Sequence, residues 1–143
     1  MDEWFKIFIN CIIGYYNCIA FHEKNDCSVY TISTAFLVPY TIAHRFLQEN
    51  GRNFQRAYYN WDILIKDLEK KGLLKRLPKR EYQTYYKYKR RIHNMTIGTF
   101  IKEHPKGNYI ITTSEHVVTI RDGILFDRIN SLKYRVQYAH KIK

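Results

Sequence analysis

The dipeptide Asp122-Gly123 constrains the fold of this chain more than any other feature of its sequence. It separates two runs of strand-like composition, residues 116–121 and 124–127. Asp-Gly between two such runs favours a two-residue hairpin turn, because both turn positions take a positive φ that Asp and Gly tolerate. Similar runs occur at residues 108–113 and 133–140. We therefore predict an antiparallel sheet in the last third of the chain.

The part of the chain before this sheet has helical patterns. Gly51 and Gly72 follow two of them as stop signals, and Thr96 stands where it can cap a third. Helices followed by an antiparallel sheet predict an α+β domain, with N-terminal helices packed on a small C-terminal sheet. The helical patterns lie at residues 4–20, 27–37, 40–50, 58–71 and 96–103.

Length and composition indicate one folded domain over residues 1–143. Hydrophobic residues make up 45% of the 143 positions, which is enough for a core, and no repeat or linker divides the chain. The apolar stretch at 4–21 follows acidic residues and contains several polar ones, so we expect neither a secretory signal nor a membrane span. The three cysteines are an odd number without metal-ligand spacing. We therefore expect a reducing, cytoplasmic compartment, and neither a metal nor a cofactor.

Cys27 stands where the polar residues 22–26 give way to an apolar run, so its thiol is predicted at a helix start. Amides and the helix dipole at such a position favour a thiolate, and a neighbouring imidazole can take the proton. His116 lies far downstream on a predicted strand. Counting outward from the Asp122-Gly123 turn pairs position 116 near 129 and 118 near 127. The side chains of His116 and Asp127 are therefore predicted to be neighbours.

Each of these residues also has an ordinary structural explanation. A buried cysteine at a helix start is commonly a packing residue. His116 could be a half-buried strand histidine, and Asp127 could close a turn. Their order along the chain, taken together with the flanking sequence, favours a catalytic interpretation over these alternatives.

Two blocks of sequence around these residues carry a family resemblance. The first runs from Asn25-Asp26-Cys27-Ser28-Val29 to Gly51-Arg52, and the second from Thr96 through Glu115-His116-Val117-Val118 and Asp122-Gly123 to Asp127. Both resemble small papain-like cysteine peptidase domains of phages and bacteria that are related to the bacteriocin-leader peptidases. The resemblance covers residues 25–52 and 96–140 and implies a papain-like fold. It leaves residues 53–95 as a basic, tyrosine-rich insertion.

The resemblance also implies a role for each candidate residue. Cys27 would be the nucleophile, and His116 the general base that later acts as general acid. Asp127 would orient the imidazole, with Asn130 as the alternative third member. The amide of Cys27 would bind the oxyanion with help from the side chain of Asn25, or less favourably from His22. Related domains often have a glutamine upstream of the cysteine, and residues 1–26 contain none.

Two functions follow from this resemblance. The first is a cysteine peptidase-like hydrolase or acyl-transfer enzyme, possibly phage-encoded, that acts on a protein or peptide through a Cys-His-Asp triad. The second is a catalytically inactive binding module on the same scaffold, serving as a phage accessory or virion protein. The corresponding locations are the cytoplasm, which is the host's for a phage protein, and the virion.

A basic segment at residues 66–91 carries most of the excess positive charge. It contains eleven Lys/Arg and three Asp/Glu, a net +8 out of +11 for the whole chain. Basic groups interleaved with tyrosines suit an acidic protein surface or a nucleic acid. A solvated helix whose tyrosines pack on the core, or a loop ordered by a partner, fits the same pattern. The candidate contact residues are Tyr85, Tyr86, Lys87, Lys89, Arg90 and Arg91.

Overall fold

The computed structural model of the protein describes residues 25–86 and 90–143. Within them, the helices are α1 (Cys27–Phe36), α2 (Tyr40–Glu49), α3 (Trp61–Lys70) and α4 (Ile97–Glu103). The strands are β1 (Leu74–Arg76), β2 (Gln83–Tyr86), β3 (Arg91–Asn94), β4 (Asn108–Thr112), β5 (Val117–Arg121), β6 (Ile124–Phe126) and β7 (Tyr138–Ile142), and a short 3₁₀ helix spans Lys79–Glu81. The predicted α+β class is confirmed, whereas the helix predicted at 4–20 lies outside the described residues. None of the helices in the described ranges has the length and apolar character needed to cross a bilayer.

The main sheet has five antiparallel strands in the order β1-β7-β4-β5-β6. Asp122 and Gly123 have φ of 47° and 80°, so the predicted hairpin turn is confirmed. Thr119 pairs with Phe126, which places position 118 opposite 127, as counting from the turn predicts. The strand expected at 133–140 begins only at Tyr138. The residues before it instead run beside the start of α4, where the amide of Val136 donates to Met95 O at 2.9 Å.

Both faces of the sheet are covered, because alternate strand residues enter two separate cores. On one face, Ile110 and Val117 pack with helices α1, α2 and α3. On the other, Ile111 and Val118 pack with α4 and with the segment around Val136. The strands β4 and β5 therefore lie between two layers, and the end of β5 is held firmly against α1.

Two reciprocal hydrogen bonds fix α1 against β5. The hydroxyl of Thr31 donates to Val117 O at 3.0 Å, and the hydroxyl of Thr119 donates to Thr31 O at 3.0 Å. Arg121 adds a third contact by donating to the carbonyl of Ala35 at 3.0 Å, near the C-terminus of the helix. These bonds set the position of the start of α1 relative to the start of β5.

The segment at 53–95 contributes to the core as well as to the surface. Helix α3 buries Trp61, Leu64, Ile65 and Leu68 in the same core as α1 and α2, at the helical spacing read from the sequence. Strand β1 then forms an edge of the main sheet by pairing with β7.

The basic part of this segment is a hairpin of β2 and β3, and the helix or loop expected there is wrong for the described residues. Tyr85 pairs with Ile92, and both are residue types that favour strands. The side-chain amide of Gln83 donates to Asn94 Oδ1 at 3.1 Å and holds the open end of the pair. Tyr82, just before β2, is buried in the core, so the open end of the hairpin is anchored there.

Candidate active site

Cys27 is the first residue of α1, and its side chain is half-buried. It lies beside His116, the residue that precedes β5: both side chains line the same two cavities, and their interaction affects the pKa of the imidazole. The contact follows from the packing of α1 on β5, because the bonds from Thr31 to Val117 and from Thr119 to Thr31 bring the starts of these elements together. The structure thus unites the cysteine and histidine singled out in the sequence.

The second contact of His116 is with Asp127, which follows β6. Nε2 of the imidazole donates to Oδ2 of the carboxylate at 2.7 Å. The His116 side chain is 14% exposed and that of Asp127 is 3% exposed, so the bond is largely shielded from water. Since Nε2 faces Asp127, Nδ1 is the ring nitrogen left for the thiol. The three side chains therefore form a chain of contacts from Cys27 to Asp127.

The pKa of His116 is set by two opposing effects. Burial lowers this pKa, but hydrogen bonds to Asp127 and Cys27 and the negative charges of those groups raise it to about 9. The imidazole is therefore protonated at neutral pH. A protonated imidazole can donate a proton to a departing group, and the general-base role of His116 expected from the sequence stays a prediction.

Two donors hold the carboxylate of Asp127 in place. The hydroxyl of Ser131 donates to Oδ2 at 2.6 Å, and the backbone amide of Arg128 donates to Oδ1 at 2.7 Å. Asn130, the alternative third member, is exposed, and its Oδ1 accepts from the amide of Leu132 at 3.2 Å. Sequence reasoning missed Ser131, for which the only local signal is a hydroxyl four residues after Asp127.

A buried ion pair lies directly behind the site. Asp26, 2% exposed, receives a hydrogen bond from the hydroxyl of Tyr40 at 2.7 Å and pairs with Arg128 at 2.5 Å. Asp26 precedes α1 without capping it, since its side chain makes no cap hydrogen bond. Its carboxylate instead binds Arg128 and Tyr40. The sequence around Asp26 does not predict this role.

Asn25 lies at the edge of the site. Its backbone has a φ of 52°, and its side-chain amide donates to Gln55 O at 3.4 Å. It lines a cavity of about 160 Å³ together with Cys27, His116 and Asp127. Its assistance to the oxyanion remains a prediction, and His22, the other candidate, lies outside the described residues.

Two larger cavities meet at His116. One, the Cys27 cavity, has a volume of about 410 Å³ and also borders Cys27. The other, the Tyr134 cavity, has a volume of about 550 Å³ and borders His116 and Arg135. The ring of Tyr134 stands edge-on to that of His116, with centroids 5.8 Å apart. His116 therefore borders both cavities, whereas Cys27 borders the first of them and the small cavity next to Asn25.

The described basic residues among those singled out in the sequence, Arg90 and Arg91, lie on the β2–β3 hairpin. Arg90 and Arg91 are exposed at the β2–β3 hairpin, and the side chain of Tyr85 is 60% exposed beside them. Tyr86 ends β2, whereas Lys87 and Lys89 lie outside the described residues. Arg90 and Arg91 line none of the cavities that border Cys27 or His116, whereas Asn94, the last residue of β3, lines the cavity of about 550 Å³ next to His116.

Over residues 25–86 and 90–143, no three His, Cys, Asp or Glu side chains come close enough together to hold a metal ion. In comparisons with known proteins, no family model, no curated protein and no solved structure matches this chain.

Proposed function

We propose that the protein is a cysteine peptidase-like hydrolase or acyl-transfer enzyme of papain-like architecture. The observation that carries this proposal is the contact chain from Cys27 through His116 to Asp127 at the meeting point of open cavities. A cysteine that merely packs in a core needs neither a charged partner nor access to solvent. Cys27 has both.

The raised pKa of His116 defines the resting state of the proposed enzyme. We infer that the reactive form is the thiolate of Cys27 beside the protonated imidazole, which is a favourable partner for an anionic sulfur. Asp127 stabilises the positive ring and holds it so that Nδ1 faces the sulfur. The nucleophile therefore attacks without a prior proton transfer.

The proposed reaction has two steps, acylation of Cys27 and then cleavage of the resulting thioester. The sulfur of Cys27 forms a bond to a substrate carbonyl carbon, and His116 gives its proton to the departing amine as the C–N bond breaks. The product is a thioester and a neutral imidazole. His116 then takes a proton from water or from an acceptor amine, which attacks the thioester and releases the thiolate. Water gives hydrolysis, and an amine gives acyl transfer.

Iodoacetamide labelling tests the activated cysteine. We expect Cys27 to react much faster than Cys11 and Cys18, as read by mass spectrometry of the digested protein. His116→Ala should abolish that advantage because the thiolate loses its cationic partner. His104→Ala is the matched control, since His104 bonds to Glu81 and lies outside the site. Equal, slow labelling of all three cysteines would refute the proposal.

A second candidate function is binding of an acidic protein or a nucleic acid by the basic hairpin. It is favoured by the exposed Tyr85 and Ile92, which stand side by side on β2 and β3 next to Arg90 and Arg91. Apolar and aromatic faces beside cations fit exposed bases or an acidic surface. This binding would not require the Cys27, His116 and Asp127 side chains of the candidate active site.

Salt dependence separates this candidate from the enzyme. Binding of single-stranded DNA or of an acidic peptide should weaken steeply as salt rises. It should fail when Lys87, Lys89, Arg90 and Arg91 are changed to Gln, and should survive Cys27→Ala. Absent or salt-insensitive binding would refute the binding function of the hairpin and would leave the enzymatic proposal unaffected.

A further inference from the structure

The Cys27 cavity has a charge opposite to that of the protein. The chain carries a net charge of +11, yet the acidic residues Asp62 and Glu115 line this cavity and no Lys or Arg does. The Tyr134 cavity differs, because Arg135 lines it opposite Glu115. Glu115 borders both cavities, so what distinguishes the Cys27 cavity is Asp62 and a wall without Lys or Arg.

The walls of the Cys27 cavity suit a long side chain with an apolar stem. Tyr58, Tyr59, Trp61 and Tyr138 contribute aromatic surface. Such rings pack against methylene groups and attract a cation over their faces. A cavity with aromatic walls and acidic groups is complementary to lysine or arginine.

Ser28 provides an independent indication that this cavity receives a polar group. It follows Cys27 in α1, lines the cavity and is only 3% exposed. Its hydroxyl has no hydrogen-bond partner in the described part of the chain. Leaving a buried hydroxyl without a hydrogen-bond partner costs free energy. A donor on a bound molecule would supply that partner. An ammonium or guanidinium is such a donor, because a hydroxyl oxygen accepts hydrogen bonds.

One of the two acids, Asp62, is held in place before any ligand enters. The hydroxyl of Tyr138 donates to Oδ1 of Asp62. The neighbouring Trp61 is fixed by its indole N–H, which donates to the hydroxyl of Thr112 at 3.1 Å. Asp62 also lies in the first turn of α3, where the helix dipole stabilises its negative charge.

We propose that the Cys27 cavity is a subsite for a cationic side chain, lysine or arginine, adjacent to the carbonyl that Cys27 attacks. This proposal rests on the proposed function and adds its substrate class. The carboxylates of Asp62 and Glu115 recognise the charge, the aromatic walls enclose the stem, and the hydroxyl of Ser28 accepts from the head group.

Thiol reagents of similar size and different charge test the subsite without a known substrate. The probes are the ethylammonium, ethylsulfonate and methyl methanethiosulfonates, which are cationic, anionic and neutral. Each forms a disulfide with Cys27 and releases methanesulfinate, and mass spectrometry identifies the modified cysteine. We divide each rate by the rate of the same probe with a small free thiol, and we expect the corrected rate of the cationic probe to be at least about three-fold that of the anionic one. The net charge of the protein alone would give the opposite order.

Variants assign the preference to the two carboxylates. In the double variant Asp62→Asn, Glu115→Gln the ratio of cationic to anionic rates should fall below one. Glu103→Gln, an exposed acid outside the cavity, should leave the ratio unchanged. A faster anionic probe in the wild type, or an unchanged ratio in the double variant, would overturn the subsite.

These outcomes are distinguishable from failure of the proposed function. That function fails if Cys27 reacts with the neutral probe no faster than an ordinary thiol and His116→Ala changes nothing. A fast neutral reaction without charge preference rejects the cationic subsite alone. Quenched peptides that carry Lys, Leu or Glu beside the cleaved bond extend the same comparison to turnover, where Lys is expected to be preferred.

Discussion

Arg128 Nη1 lies 2.5 Å from Asp26 Oδ1, across 102 positions of the chain. Asp26 immediately precedes Cys27, and Arg128 immediately follows Asp127. The ion pair therefore joins the segment that carries the sulfur to the segment that carries the carboxylate. Because Asp26 is almost fully buried, the pair is shielded from water on one side and resists competition by solvent.

Loss of this ion pair should destabilise the fold. We expect Arg128→Gln to lower the free energy of unfolding by about 2–4 kcal/mol, since it leaves a buried carboxylate with only the hydroxyl of Tyr40 among its described side-chain partners. Urea denaturation measures the change. Asp67→Asn is the control, because its pair with Lys71 is well exposed and contributes at most about 0.5 kcal/mol. Equal effects of the two substitutions would contradict a structural role for Arg128.

The raised pKa of His116 predicts a specific pH dependence of stability. A folded-state pKa of about 9, above the ordinary value of 6.5, means that the stabilising contribution is fully present below pH 6.5. It is lost as the pH rises through 9. We expect wild-type stability to fall by about 3 kcal/mol relative to that of His116→Gln over this range. Urea denaturation at a series of pH values measures the difference.

Proton NMR of the His116 ring tests directly what raises the pKa of this residue. The titration midpoint of the wild type should lie near pH 9. In Asp127→Asn the midpoint should drop by at least about one pH unit, because the lowering effect of burial is no longer offset by the carboxylate. A midpoint near 6.5 in the wild type would show that the Asp127 bond does not form.

Ser131 is predicted to position Asp127. Ser131→Ala removes a fully buried donor to the carboxylate and should cost about 1.5–3 kcal/mol of stability. It should also shift the NMR titration of His116 and slow the labelling of Cys27 by iodoacetamide. Ser114→Ala, at an exposed serine, should leave stability and the titration unchanged. A loss of stability without any change at His116 would restrict Ser131 to a packing role.

Local sequence signals predicted those parts of the site that depend on short-range geometry. The Asp122-Gly123 turn determines which residues face each other across β5 and β6, so the proximity of His116 and Asp127 could be read by counting. Thr96 caps α4 through the amide of Thr99, as expected from its position. In both cases, all the interacting residues lie within a few positions of a turn or a helix end.

The basic segment shows where composition alone misleads. Lys, Arg and Tyr at residues 79–91 are compatible with a helix, and helical spacing of the tyrosines favours it. The hairpin forms instead because Tyr82 is buried in the core and the Gln83–Asn94 pair closes the open end of β2 and β3. A helical pattern is read over a short run of consecutive residues, whereas the stability of a strand depends on the strand that pairs with it. The pattern therefore does not reveal the pairing of β2 with β3.

By itself, the sequence determined the α+β class, the hairpin register and the pairing of an imidazole with a carboxylate, since these follow from local backbone preferences. Only the tertiary structure decided that Cys27 meets His116, that Asp26 is matched by Arg128, and that Asp62 faces the cavity beside the sulfur. Those contacts join residues tens of positions or more apart. They depend on how α1 and α3 pack on the sheet, and no local pattern records that packing.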